Sequence, residues 1–151
     1  MTSMIGFKHR GLRNNNPFNI KKSHFKWVGK KSQSSDPVFE QFDNMYYGLR
    51  AGMKLLVYYV NKGFNTPRKI IYRFAPESEN KSELYLDFVC HSRGVWINPD
   101  VPITSIEVLC NLASNMIIFE NGINLNTLTN IKAQPCDLFD LCNFYKFNLK
   151  K

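Results

Sequence analysis

Glu120 is the side chain least suited to its surroundings. Leu109, Leu112, Ala113, Met116 and Ile117 recur at helical spacing, and the next position on that apolar stripe is this glutamate. A carboxylate on a core-facing stripe costs several kcal/mol if it is ionised and unpaired. It also falls in the last turn of its helix, at the negative end of the helix dipole. Both effects raise a carboxyl pKa and keep a proton available near neutrality for a leaving oxygen. Escape to solvent at a frayed helix end, or a pair with an arginine, accounts for the same residue without chemistry. Asp36 falls in a Ser-rich turn, and Glu40 and Asp43 flank the run that follows, where acids are usually solvated. There is no G-x-S-x-G, no phosphate-binding loop and no Cys/His pair at nucleophile spacing. His9, His24 and His91 are scattered, and Cys90, Cys110, Cys136 and Cys142 form no C-x-x-C. No metal and no cofactor is therefore expected, and the cysteines read as buried or half-buried free thiols, with a Cys136–Cys142 bridge as the remote alternative.

Several elements must position that acid. Leu49, Met53, Leu56 and Val60 predict a helix from Met45 that stops at Gly63. Thr66-Pro67 supplies an N-cap and a first-turn proline ahead of Ile70, Ile71 and Phe74. Pro76 ends that helix, and Asn80 with Glu83 resembles a capping pair before Tyr85, Phe88 and Val89. Thr104 and Glu107 form a capping box, with Ile103 and Val108 as its hydrophobic staple, at the start of the helix that carries Glu120. Asn121-Gly122 closes that helix, and Asp137 to Phe147 predicts one more. Upstream, Asn14 to Asn19 reads as an ordered loop, because asparagine bonds nearby backbone and tolerates left-handed conformations. Phe25 to Gly29 and Val38 to Phe42, either side of the Ser-rich turn, suggest a small β-hairpin. The fold class is α+β, mainly helical, in a single domain over 1–151, with Asp137 to Lys151 a candidate C-terminal appendage.

At 151 residues, 44% hydrophobic and 21% charged, the chain can bury a core, and wholesale disorder is excluded. No apolar run approaches the ~20 residues of a membrane-spanning helix, and Met1 to Gly11 lacks the apolar stretch of a secretory signal. Twenty Lys+Arg against twelve Asp+Glu give +8, which points to a polyanionic partner: nucleic acid, an anionic membrane surface or bacterial cell wall. Lys21, Lys22, Lys26, Lys30 and Lys31, interleaved with Phe25 and Trp27, carry the nucleic-acid alternative. No nucleic-acid motif accompanies them, and charge runs are usually solvated faces.

Arg10-Gly-Leu-Arg-Asn-Asn-Asn-Pro-Phe-Asn-Ile20, followed by Trp27-Val-Gly29, Phe39-Glu-Gln-Phe-Asp43 and Gly48-Leu-Arg-Ala51, resembles a group of phage and prophage proteins. That group carries an R-G-x-R-N-N-N-P-x-N-I signature and is described as virion-associated or lysozyme-like; Phe18 stands where it more often has Gly. A second resemblance is one of order. Asn15 to Lys21, Trp27-Val-Gly29 and the hairpin are similar to the segment that follows the catalytic helix in glucosaminidases and lytic transglycosylases of the lysozyme superfamily. Leu112 to Gly122 is similar to that catalytic helix, so the resemblance implies a circularly permuted lysozyme-like fold. It further implies that Glu120 is the general acid acting on peptidoglycan glycan strands, with Asp36, or else Glu40, as the second carboxylate. Without either, the substrate's acetamido group or 6-hydroxyl would be the nucleophile. Asn15, Asn16 and Asn19 would bind sugar hydroxyls and acetamido groups, and Trp27 and Tyr46 would stack on sugar rings. Other virion proteins are implied partners. The enzyme would reside in the virion or the host cytoplasm before reaching the wall. A non-catalytic structural or glycan-binding protein of the same fold is the competing expectation.

Overall fold

A computed structural model of the chain describes residues 9–76 and 78–150. Residues 1–8, on which most of the expectation about a secretory signal falls, lie outside the described residues. The molecule is mainly helical: α1 (Arg10–Arg13), α2 (Met45–Asn61), α3 (Pro67–Phe74), α4 (Glu79–His91), α5 (Ile106–Asn121), α6 (Leu125–Asn130) and α7 (Pro135–Tyr145), with a single 3-10 turn at Ser92–Gly94.

Helix α5 is the axis, in contact with α1, α2, α4, α6 and α7. Its burial extends well beyond one stripe: Leu109, Cys110, Leu112, Ala113, Ser114, Asn115, Met116 and Ile117 are all buried. The polar members are hydrogen-bonded, as buried polar groups must be. Ser114 donates to the Ala133 carbonyl at 2.7 Å, and Asn115 donates to the Val89 carbonyl at 2.8 Å. Asn115 also accepts from Arg93 Nε at 2.7 Å. Leu49, Met53, Leu56 and Val60 of α2 are buried against this core, as their spacing predicts.

Several helix ends differ from expectation by one or two residues. Thr66 caps α3 by accepting from Lys69 N, with Pro67 in the first turn, as expected. The cap of α5 is Ser105 rather than Thr104: its hydroxyl accepts from Val108 N at 3.2 Å, which leaves Glu107 in the first turn, where it favours the dipole, but without a box. Ile103 is buried while Val108 is exposed, so the expected staple does not form. Ser78, rather than Asn80, caps α4, and Glu83 instead accepts from Arg68 and Tyr72. Helix α6 carried only one buried apolar residue, Leu128, and was not anticipated.

The hairpin is a second correction. Among the described residues, antiparallel pairing is confined to two isolated bridges, Lys21 with Phe39 and Lys30 with Phe42. The run at 38–42 threads between Ile20–Lys22 and Gly29–Lys31 rather than pairing with 25–28. Asn16 explains the difference. Its amide donates to the carbonyls of Ile20 and Glu40 and accepts from Ile20 N, taking over bonds that a regular ladder would make. Finally, the C-terminal segment is no appendage: Leu138, Leu141 and Cys142 of α7 are buried in the common core.

Candidate functional site

Gly122, in the left-handed conformation, ends α5 and fixes where Glu120 points. Asn121 donates to the Pro17 carbonyl at 2.8 Å and to the Ile117 carbonyl at 2.9 Å, which pins the helix end onto the asparagine turn. That turn is built as asparagine chemistry suggests, with Asn15 and Asn19 at φ 53° and 52°. Asn19 then donates to Glu120 Oε1 at 2.9 Å, with a longer 3.4 Å contact to the Glu120 carbonyl. A hydrogen bond of this kind orients the carboxyl group. Beneath both lies Gly11. An added Cβ there would meet Asn121 Oδ1 at 2.5 Å, Asn19 Oδ1 at 2.6 Å and the Asn16 carbonyl at 2.9 Å. The glycine of the early signature thus permits a close approach of the turn that carries Asn19.

Glu120 and Asn19 lie at the wall of a cavity of about 790 Å³, within the range of small-molecule sites. Its lining is aromatic: Phe25 and Trp27 from the first loop, Tyr58 and Tyr59 from α2, Tyr85 from α4 and Phe119 from α5. Tyr85 stacks on Phe119 with ring centroids 4.1 Å apart at 27°, and Phe25 tilts on Trp27 at 4.3 Å. Lys21, Lys22, Lys54 and Lys81 add positive charge, and Glu120 is the one acid lining the cavity among the described residues.

The expected site residues divide. Glu120, Asn19 and Trp27 are brought together in this lining. Asp36 is not. It is 7% exposed and fully engaged, bound at 2.7 Å by both Arg10 Nε and Nη2 and at 2.9 Å by Asn14, and by Val38 N and Phe39 N at 2.8 and 2.9 Å. The Arg10 guanidinium above all, helped by these amides and opposed by burial, holds its carboxyl far below the usual range. Asp36 closes the turn and is not poised as a second carboxylate. Glu40, 1% exposed, is paired with Lys30 Nζ at 2.9 Å and accepts from Ser23 N at 3.3 Å, outside the lining. Asn15 donates to the Phe42 carbonyl and Asn16 is fully buried, so both build the loop rather than face a ligand. Phe18 lies in the core over Gly52, away from the cavity.

Tyr46 also lies elsewhere, packed on Tyr145 of α7 at 6.2 Å. Desolvation first, then its bond to Tyr145, pushes its hydroxyl up to about 12. The rings missed in the sequence, Tyr58, Tyr59, Tyr85 and Phe119, sit on helices: Tyr85 is buried on the α4 stripe, while Tyr58 and Phe119 are exposed. Only the adjacency of Phe119 to Glu120 could have flagged one of them. Among the described residues no cluster of His, Cys, Asp or Glu could hold a metal ion, and no helix is long and apolar enough to cross a membrane.

No family model matches the chain. It is 40% identical over 127 residues to Protein P5 of Pseudoalteromonas phage PM2, an overlap of 82% of this chain and 78% of that protein.

Proposed function

The chain belongs to the family of Protein P5 of Pseudoalteromonas phage PM2, and on that premise we propose that it is a phage-borne glycosidase that cleaves peptidoglycan, with Glu120 as general acid. The observation that carries this reading is a carboxylate at a helix end, oriented by Asn19, at the wall of a large cavity lined with aromatic rings. Sugars offer apolar faces that stack on such rings and hydroxyls that meet polar groups between them. The indole Nε1 of Trp27, buried with no acceptor among the described residues, is a donor that a glycan oxygen could satisfy. The order of the asparagine turn, the Trp27 loop and the Glu120 helix supports a permuted lysozyme-like arrangement, and phage kinship supports a place in or beside the virion.

With Asp36 and Glu40 engaged elsewhere, the mechanism uses one acid. Glu120 protonates the glycosidic oxygen as the bond to the anomeric carbon breaks. The developing positive charge on the sugar is captured by the substrate's own acetamido oxygen or 6-hydroxyl. The carboxylate then takes a proton from that hydroxyl, or from water that opens the intermediate. Both outcomes leave Glu120 reprotonated for the next turnover.

A zymogram on purified peptidoglycan tests this. Wild type clears, while Glu120→Gln, which keeps shape and removes the transferable proton, loses about 10²–10⁴-fold in rate. Equal clearing by both proteins, or by neither, refutes the acid assignment. In the second case a glycan-binding virion component remains.

A further inference from the structure

Lys22, Lys54 and Lys81 reach the cavity from three separate elements: the loop after Asn19, the middle of α2 and the first turn of α4. None of the three has an ion-pair partner among the described residues. Arg10, Lys30 and Arg68, by contrast, are held by protein carboxylates: Arg10 by Asp36, Lys30 by Glu40, and Arg68 by Glu83 and Asp100. The unpaired lysines also sit beside the rings that line the same space. Lys54 is one helical turn before Tyr58, and Lys81 is one turn before Tyr85. A sugar stacked on Tyr58, which is exposed, would therefore carry its substituents past the Lys54 ammonium group. Three such charges around one carboxylate give the cavity mouth a positive field, and because the three lysines are exposed that field is screened by salt.

We infer, resting on the glycosidase reading for the glycan itself, that Lys22, Lys54 and Lys81 form an anion-recognising rim that selects amino-sugar strands bearing carboxylates over neutral ones. In peptidoglycan the carboxylates come from two sources, the lactyl ether of the muramoyl residue and the stem peptide attached to it. Both present the same chemistry to an ammonium group. The rim thus assigns the protein to wall glycan and turns it away from chitin-like polymers of the same backbone.

The test is a binding titration of the full chain carrying Glu120→Gln, which leaves ligand uncleaved. Three soluble strands of equal length are used: chito-oligosaccharide, muramoyl strand stripped of peptide, and muramoyl strand with peptide intact. The acidic strands bind about tenfold or more tighter than the neutral one at ~50 mM salt, and the gap narrows at ~500 mM. Lys54→Ala and Lys81→Ala each weaken acidic-strand binding roughly three- to fivefold, leave the neutral strand unchanged, and are rescued by Lys→Arg. A gain already complete with the stripped strand identifies the lactyl carboxylate, and a further gain with the intact strand identifies the peptide. Equal binding of all three strands, no binding of any, or a preference that survives alanine at all three lysines overturns the rim. A lysine-dependent preference in a wild-type protein that cleaves nothing sinks the glycosidase reading and leaves the rim standing. Cleavage without preference does the reverse.

Discussion

Replacing Gly11 by alanine sets two effects against each other. Gly11 is inside α1 and is absent from the positive-φ glycines, so helix propensity alone predicts a gain of about 0.5–1 kcal/mol. The new methyl, however, would stand 2.5 Å from Asn121 Oδ1, 2.6 Å from Asn19 Oδ1 and 2.9 Å from the Asn16 carbonyl. Carbon–oxygen contacts usually begin near ~3.3 Å, so these atoms must retreat by about 0.4–0.8 Å. Two of them resist: the Asn16 oxygen is backbone, and Asn121 is held by Pro17 and Ile117. Overpacking of this kind costs about 1–3 kcal/mol, so the net result is a loss of about 1–2 kcal/mol. With a urea m-value near ~2 kcal/mol/M, the unfolding midpoint falls by about 0.5–1 M. Asn19, whose side-chain bonds run only to Glu120 among the described residues, is the one that gives way, and its retreat pulls its amide from that acid. Clearing of peptidoglycan therefore drops under conditions where the variant is still folded. Gly63→Ala is the control, because no atom lies within 4 Å of its added Cβ at φ +101° and only backbone strain is introduced. It loses stability but keeps activity. A Gly11→Ala protein as stable as the parent, with unchanged clearing, would refute the claim that this glycine exists to let the asparagine turn close on the acid.

Asp36→Asn loses about 2 kcal/mol at pH 7, less than the ~3–5 kcal/mol of a fully buried pair because Arg10 is partly exposed. The depressed carboxyl of Asp36 contributes stability above the unfolded pKa of about 3.9 and loses it as pH falls through the lower folded value. Thermal unfolding from pH 6 down to about pH 2 should accordingly fall more gently in Asp36→Asn than in wild type; parallel curves would contradict the pairing. Trp27 lines the cavity while Trp96, the other tryptophan, is 59% exposed outside it. Intrinsic fluorescence should change on titration with a muramoyl strand, and Trp27→Phe should abolish the change while Trp96→Phe keeps it. Of the four cysteines, Cys136 alone is exposed, so a thiol reagent should modify one group in the folded protein and all four in denaturant. Rapid reaction of more than one group would mean that the packing of α4, α5 and α7 described above is wrong.

The helices were legible because their signals are local. Thr66-Pro67, Gly122 and the buried positions of α2 each follow from a few neighbouring residues. The caps at Ser105 and Ser78 differ from the expected Thr104 and Asn80 because adjacent hydroxyl and amide residues compete for one role, which local sequence does not decide. The hairpin failed for another reason: Asn16 side-chain bonds substitute for a ladder, and no periodicity reports that. In the site, Glu120 was visible as a break in an apolar stripe and Asn19 as one asparagine among several. Which asparagines build the loop and which one meets the acid is a three-dimensional fact. The same holds for Asp36, whose turn position gave no hint that Arg10 would occupy both its oxygens.

The bond between Asn19 and Glu120 joins residues 101 positions apart. A ribosome must therefore have released the chain through α5 before the acid can find the amide that aims it. The α7 segment that helps enclose α5 is made later still. A product that stops short of α5 carries the asparagine turn without the acid it aims. Timing of competence is thus written into the chain's connectivity.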